Sequence, residues 1–79
     1  MKPEIAFGQA LRHFRKKIKF SQEKLSQESG LDRSYISLLE RGLRQPSLTS
    51  ILQLSKALKI SSVAFISEVE ALLCENRED

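Results

Sequence analysis

The 79-residue chain has a single cysteine, a single histidine and no run of apolar residues longer than four, as in Val63 to Ile66. Each shortage removes a class of protein. One thiol, Cys74, can close no internal disulfide and supplies no cysteine cluster for zinc. Four apolar residues fall far short of the roughly 20 that span a bilayer. Near the N-terminus Gln9, Arg12 and His13 interrupt any signal-peptide core. Strand signals of useful length, internal repeats and low-complexity tracts are absent as well. No Gly-rich phosphate loop, cysteine–histidine pairing or one-sided cluster of acids and bases supports an enzyme. The expectation is a cytoplasmic protein without metal, cofactor, membrane contact or small-molecule ligand.

What is present describes one folded unit. Hydrophobic residues make up 41% of the chain and charged residues 29%, a balance that suits a packed domain. A chain this short buries only about 60% of its unfolded surface, so a partner subunit would help stabilise it. It reads as one domain, 1–79, with its core within 4–75. The net charge of +3 is unevenly spread. Residues 1–20 set six Lys/Arg against Glu4, while 61–79 set five acids against Arg77. A basic front and an acidic tail suit a protein that lays one side on a polyanion. Charged helix faces also serve plain solubility.

The chain is organised around residues 21–41. Ser21 is a good N-cap, and Phe20 and Leu25 stand at the staple positions around it. Gly30 sits where a helix needs a left-handed residue to stop. Asp32 then caps a second helix, with Leu31 and Ile36 repeating the staple. Stop and restart lie so close that the helices must turn sharply, locked by Leu25, Leu31, Ile36 and Leu39. Ser26 stands where their approach demands a small side chain. This is the helix-turn-helix pattern, whose second helix enters the DNA major groove.

Three further helices surround it. The first starts near Pro3 and ends before Phe20, with an apolar stripe of Phe7, Leu11, Phe14 and Ile18. Gly42 ends the third helix, and Pro46 blocks its continuation. Ser47 caps the fourth, which carries Leu48, Ile51, Leu52, Leu54, Ala57 and Leu58 to Ile60, a wide arc suited to several neighbours. Ser61 caps the fifth, 61–75, with more apolar surface than one contact stripe needs. Asn76 to Asp79 read as a frayed end. His13 reads as a surface residue.

At 100° per residue, Ile36 and Leu39 of the third helix point inward. Ser34, Ser37, Leu38 and Arg41 point the other way, flanked by Arg33 and Tyr35. Arg33 suits a bidentate pair with guanine, Ser34 and Ser37 suit several bases, and Leu38 is either indifferent or meets a thymine methyl. Tyr35 either reaches phosphate, base or sugar, or packs against a neighbouring helix. Gln22, Arg44, Gln45, Ser47 and Thr49 cluster at helix starts where free N–H groups favour phosphate.

The run RSYISLLERGLRQPSL, with SQEKLSQESGL before it, resembles the repressor/Cro-type (XRE) helix-turn-helix family, and is especially similar to restriction–modification controller proteins. The likeness covers about residues 7–60. It implies an all-α, five-helix, lambda-repressor-like DNA-binding domain. It further implies that Gln22 bonds a phosphate and that Arg33, Ser34, Tyr35 and Ser37 read bases. Arg15 and Glu40 are implied to form a partly buried ion pair, which the angle of Glu40 supports. A homodimer through the fifth helix is implied too, and the surplus apolar residues Phe65, Ile66, Val69 and Leu73 agree with it. The same residues would otherwise fill the core of the single chain. Ser26 replaces the usual alanine, and Leu38 stands where the family is mostly polar or glycine.

The reading is a homodimeric, sequence-specific transcriptional regulator on double-stranded DNA, with a near-palindromic operator, of either controller or phage-repressor type. The alternative is an adaptor or antitoxin that mainly holds a protein partner.

Overall fold

The computed structural model describes residues 1–75; the end read above as frayed, 76–79, lies outside the described residues. Five α-helices follow one another: α1 Pro3–Lys17, α2 Gln22–Ser29, α3 Arg33–Glu40, α4 Leu48–Ala57 and α5 Ser62–Glu75. The fold is all-α, with no strand among the described residues.

Serines start three of the helices. Ser21 Oγ accepts from Lys24 N at 2.9 Å, Ser47 Oγ from Ser50 N at 3.0 Å and Ser61 Oγ from Ala64 N at 3.0 Å. Such a cap contributes about 1 kcal/mol. Asp32 departs from this expectation: its backbone holds the N-cap position of α3, but its side chain accepts no capping bond. The carboxylate is exposed, and this helix start lies open at the surface, where first-turn N–H groups can turn to solvent.

Three helix ends share one closing motif, with a left-handed residue and two backward hydrogen bonds. Phe20 N donates to Arg15 O and Lys19 N to Lys16 O after α1. Leu43 N and Gly42 N do the same to Leu38 O and Leu39 O after α3, and Ile60 N and Lys59 N to Ser55 O and Lys56 O after α4. The left-handed residues are Lys19, Gly42 and Lys59, with φ of 62°, 73° and 60°. Because α1 closes in this way at Lys17, Ile18 leaves the helical face. It is exposed, which corrects its placement in the apolar stripe.

Leu11, Leu25, Ile36, Leu39, Leu54 and Phe65 meet in one core with no exposed surface. α1 lies against α3 and α5, and α4 lies against α2 and α5. Gly8 makes the α1–α3 approach possible, because a Cβ there would stand 2.4 Å from Leu39 O and 2.7 Å from Glu40 O. α4 is less enclosed than its wide apolar arc suggests. Ile51, Leu54, Ala57 and Leu58 face the core, whereas Leu48 is 72% exposed and Leu52 51%. Ser26 does more than stay small: its hydroxyl donates to Leu31 O and ties the end of α2 to the turn.

Candidate nucleic-acid interface

A charged network fixes α3 against the two helices before it. Arg15 Nε donates to Glu40 Oε2 at 2.6 Å and Nη2 donates to Glu40 Oε1 at 3.0 Å. Arg15 Nη1 donates to Phe20 O at 2.8 Å, so the same guanidinium also holds the loop between α1 and α2. Gln22 Nε2 donates to Glu40 Oε1 at 3.1 Å. The C-terminal end of α3 is therefore bonded to α1 and to the first residue of α2. Gln22 keeps one amide hydrogen and its oxygen for other partners.

Beside that network lies an open cleft of about 290 Å³ lined by Gln22, Arg33, Ser34 and Ser37. Arg33 and Ser34 are exposed, Ser37 and Leu38 half-buried. The outward face of α3 is thus polar with one apolar element, and Leu38 is more covered than its helical angle alone suggests. Arg33 makes no ion pair with the described residues, which leaves its fork of donors free. Arg41, on the same face, turns back so that its Nε donates to Ser37 O at 3.4 Å.

Tyr35 packs between α3 and α4. It is half-buried against the core, and its hydroxyl lies 3.1 Å from Ser50 Oγ of α4. At the start of α4, Arg44, Gln45, Ser47 and Thr49 are all exposed, and Arg44 has no ion pair among the described residues. Ser47 is partly committed. Its oxygen accepts the capping bond and its hydroxyl donates to Ser50 Oγ at 2.9 Å. Arg44, Gln45 and Thr49 are left as the freer polar groups at that end.

The dimer residues need correction. Phe65 has no exposed surface and is sandwiched by the rings of Phe7 at 4.8 Å and Phe14 at 5.4 Å. Val69 is also buried. Both fill the core of this chain, because α5 closes over α1 and needs two of its apolar residues there. Ile66 remains exposed and Leu73 half-buried. Ile66 borders a mostly apolar groove of about 190 Å³ that also takes in Pro3, Phe7, Pro46, Ile51 and Val69. Two residues carry structure that the sequence reading missed, Ser50 and Gly8. A buried serine in a first turn gives no signal, and a glycine inside a helix gives only a weak one.

Residues 11–65 match the helix-turn-helix family. The chain is similar to the control protein C.BamHI of Bacillus amyloliquefaciens, 40% identical over 75 residues, covering 94% of this chain and 93% of that one. It is 33% identical over 75 residues to the immunity repressor protein of Bacillus phage phi105, covering 95% of this chain and 51% of the repressor. In structure it is similar to the restriction–modification controller protein C.AhdI from Aeromonas hydrophila. That match has a TM-score of 0.76 at 47% identity and covers 78% of this chain and 94% of the other.

Proposed function

Since this chain belongs to the helix-turn-helix family and is a DNA-binding transcriptional regulator, we propose that it acts as a homodimer on a near-palindromic operator, most like a restriction–modification controller. The observation that carries this is the α3 face, where exposed Arg33 and Ser34 border a cleft shared with Gln22. The Arg15–Glu40–Gln22 network supports that face from behind.

Labour divides by position in this reading. Arg33, Ser34 and Ser37 read base edges, Arg33 through a bidentate pair with guanine, and Leu38 meets a thymine methyl. Gln22, Arg44, Gln45 and Thr49 hold phosphates and set the register. Helix α5 joins two copies through Ile66 and Leu73, placing two α3 helices about one turn of DNA apart. Controller proteins and the phage repressor among its relatives both suit this design, and the higher identity to C.BamHI favours the controller. No described helix is long and apolar enough to cross a membrane.

The test is selection of duplexes by the purified protein from a random-sequence library. A regulator of this kind enriches two inverted half-sites about one turn apart. Enrichment of no sequence, or of single unpaired half-sites, would refute the proposal.

A further inference from the structure

The solvent side of α1 carries charge of one sign over a long stretch. Residues 5–22 contain no aspartate or glutamate, while Arg12, Lys16, Lys17 and Lys19 all stand exposed. Two rows run along the helix at four-residue spacing, Arg12 to Lys16 and His13 to Lys17. They border an open groove of about 650 Å³ that Gln9 also lines. None of the four cations has an ion pair among the described residues. A helix face charged only for solubility mixes signs and pairs them at i,i+4, as Lys24 and Glu28 do on α2 at 3.6 Å. The α1 face does not.

The two ends of α1 place this ridge. Its first turn, Pro3 and Glu4, shares the apolar groove of Ile66 with Gln45 and Pro46. In the proposed dimer that end lies towards the partner copy. The basic end lies about 21 Å away along the helix and is fastened to the start of α2. Phe20 N donates to Arg15 O, and Arg15 Nη1 donates to Phe20 O. Arg15, Ser21, Gln22, Glu23 and Arg33 line one cleft there. The ridge thus begins beside groups read as holding DNA, at the end of the half-site farthest from the second copy.

We propose that the basic ridge of α1 grips the phosphate backbone of the duplex that flanks the operator, outside the half-site that α3 reads. This rests on α3 being the DNA-facing helix and on the homodimer. Arg12 and Lys16, one turn apart, take phosphates of the flank, and Lys17 and Lys19 raise the local potential around them. Such contacts carry no sequence information. They act through counterion release, so they add affinity for any flank at low salt.

The experiment measures binding to the duplex that the wild-type protein itself selects, in two lengths. One ends at the outermost selected base pairs. The other continues on each side by scrambled sequence for about one helical turn, roughly 10 base pairs. Wild type, Arg12→Gln/Lys16→Gln and a control, Lys2→Gln/Lys56→Gln, which removes the same charge off the ridge, are titrated over a range of salt. Wild type and control are expected to bind the long duplex about tenfold tighter at low salt. Their log–log salt slope should steepen by about 3–4, for about four more phosphates per dimer. The ridge variant should bind the short duplex as wild type does and lose most of the gain from the flanks. Flanks that help the ridge variant as much as wild type overturn the proposal, as do flanks that help neither. Equal losses in the control overturn it too, since they trace the effect to net charge alone. A ridge variant weakened alike on both lengths places Arg12 and Lys16 outside any flank contact, which also overturns it. A wild-type protein that selects no duplex removes the DNA reading itself, and one that selects single half-sites removes the dimer, before any variant is made.

Discussion

Arg15 and Glu40 are 25 residues apart in the chain, yet their side chains meet at two points, 2.6 and 3.0 Å, with only 10% and 4% of their side-chain surfaces exposed. Taking one partner away leaves the other charge buried. Glu40→Ala should therefore destabilise the fold by about 3–5 kcal/mol, and Arg15→Met/Glu40→Leu together by far less. Urea denaturation of the two variants beside wild type checks this. A double variant as unstable as Glu40→Ala would show that the pair does more than neutralise itself.

Gly8 separates local preference from packing. Alanine is the better helix former by about 1 kcal/mol, and on that ground alone Gly8→Ala should stabilise α1. The new Cβ, however, would lie 2.4 Å from a backbone oxygen of α3, and forced overpacking costs about 1–3 kcal/mol or more. Backbone cannot swing aside as a long side chain can, so destabilisation wins. A lower denaturation midpoint is the expected result.

The left-handed helix ends predict gains and losses at the same structural position. Lys59 pays for φ = 60° with a Cβ, a strain of about 1–2 kcal/mol that exceeds the extra chain entropy of glycine. Lys59→Gly should raise stability by about 0.5–1 kcal/mol. Gly42→Ala should lower it, since φ is 73° and a Cβ would come within 2.9 Å of Ile5 Cγ1. Melting temperatures that move in opposite directions for the two variants would bear this out.

For the proposed dimer, the corrected surface gives a clean contrast. Ile66→Glu should leave each chain folded and shift sedimentation to the monomer. Phe65→Ala should instead cost about 3–5 kcal/mol of stability, because it empties the centre of the core. An Ile66→Glu protein that still sediments as a dimer would move the interface elsewhere.

Much of this was legible in the sequence because it is local. Ser21, Ser47 and Ser61 announce helix starts through the chemistry of their own first turns, and Gly30 and Gly42 announce stops. What depends on how helices cross was not legible. The stripe of α5 shows apolar residues without saying that α1 claims Phe65 and Val69. Leu48 and Leu52 look like core by composition, but α4 turns them to solvent. Tyr35, Ser50 and Ser47 are ordinary polar residues until the fold sets α3 beside α4. Lys19 and Lys59 hide helix ends because lysine carries no signal of a positive φ. Asp32 shows the reverse, a cap residue by type and position whose side chain makes no cap.

The central claim is that α3 reads sequence while the start of α4 grips the backbone. The most direct measurement is binding of wild type, Arg33→Ala and Arg44→Ala to the DNA upstream of the protein's own gene and to a scrambled duplex, each at two salt concentrations. The account predicts that wild type prefers the upstream DNA and that Arg33→Ala loses this preference by about 1–3 kcal/mol. Arg44→Ala should weaken both duplexes alike and flatten the salt dependence. Equal and weak binding of both duplexes by wild type would contradict the claim and point to a protein partner instead.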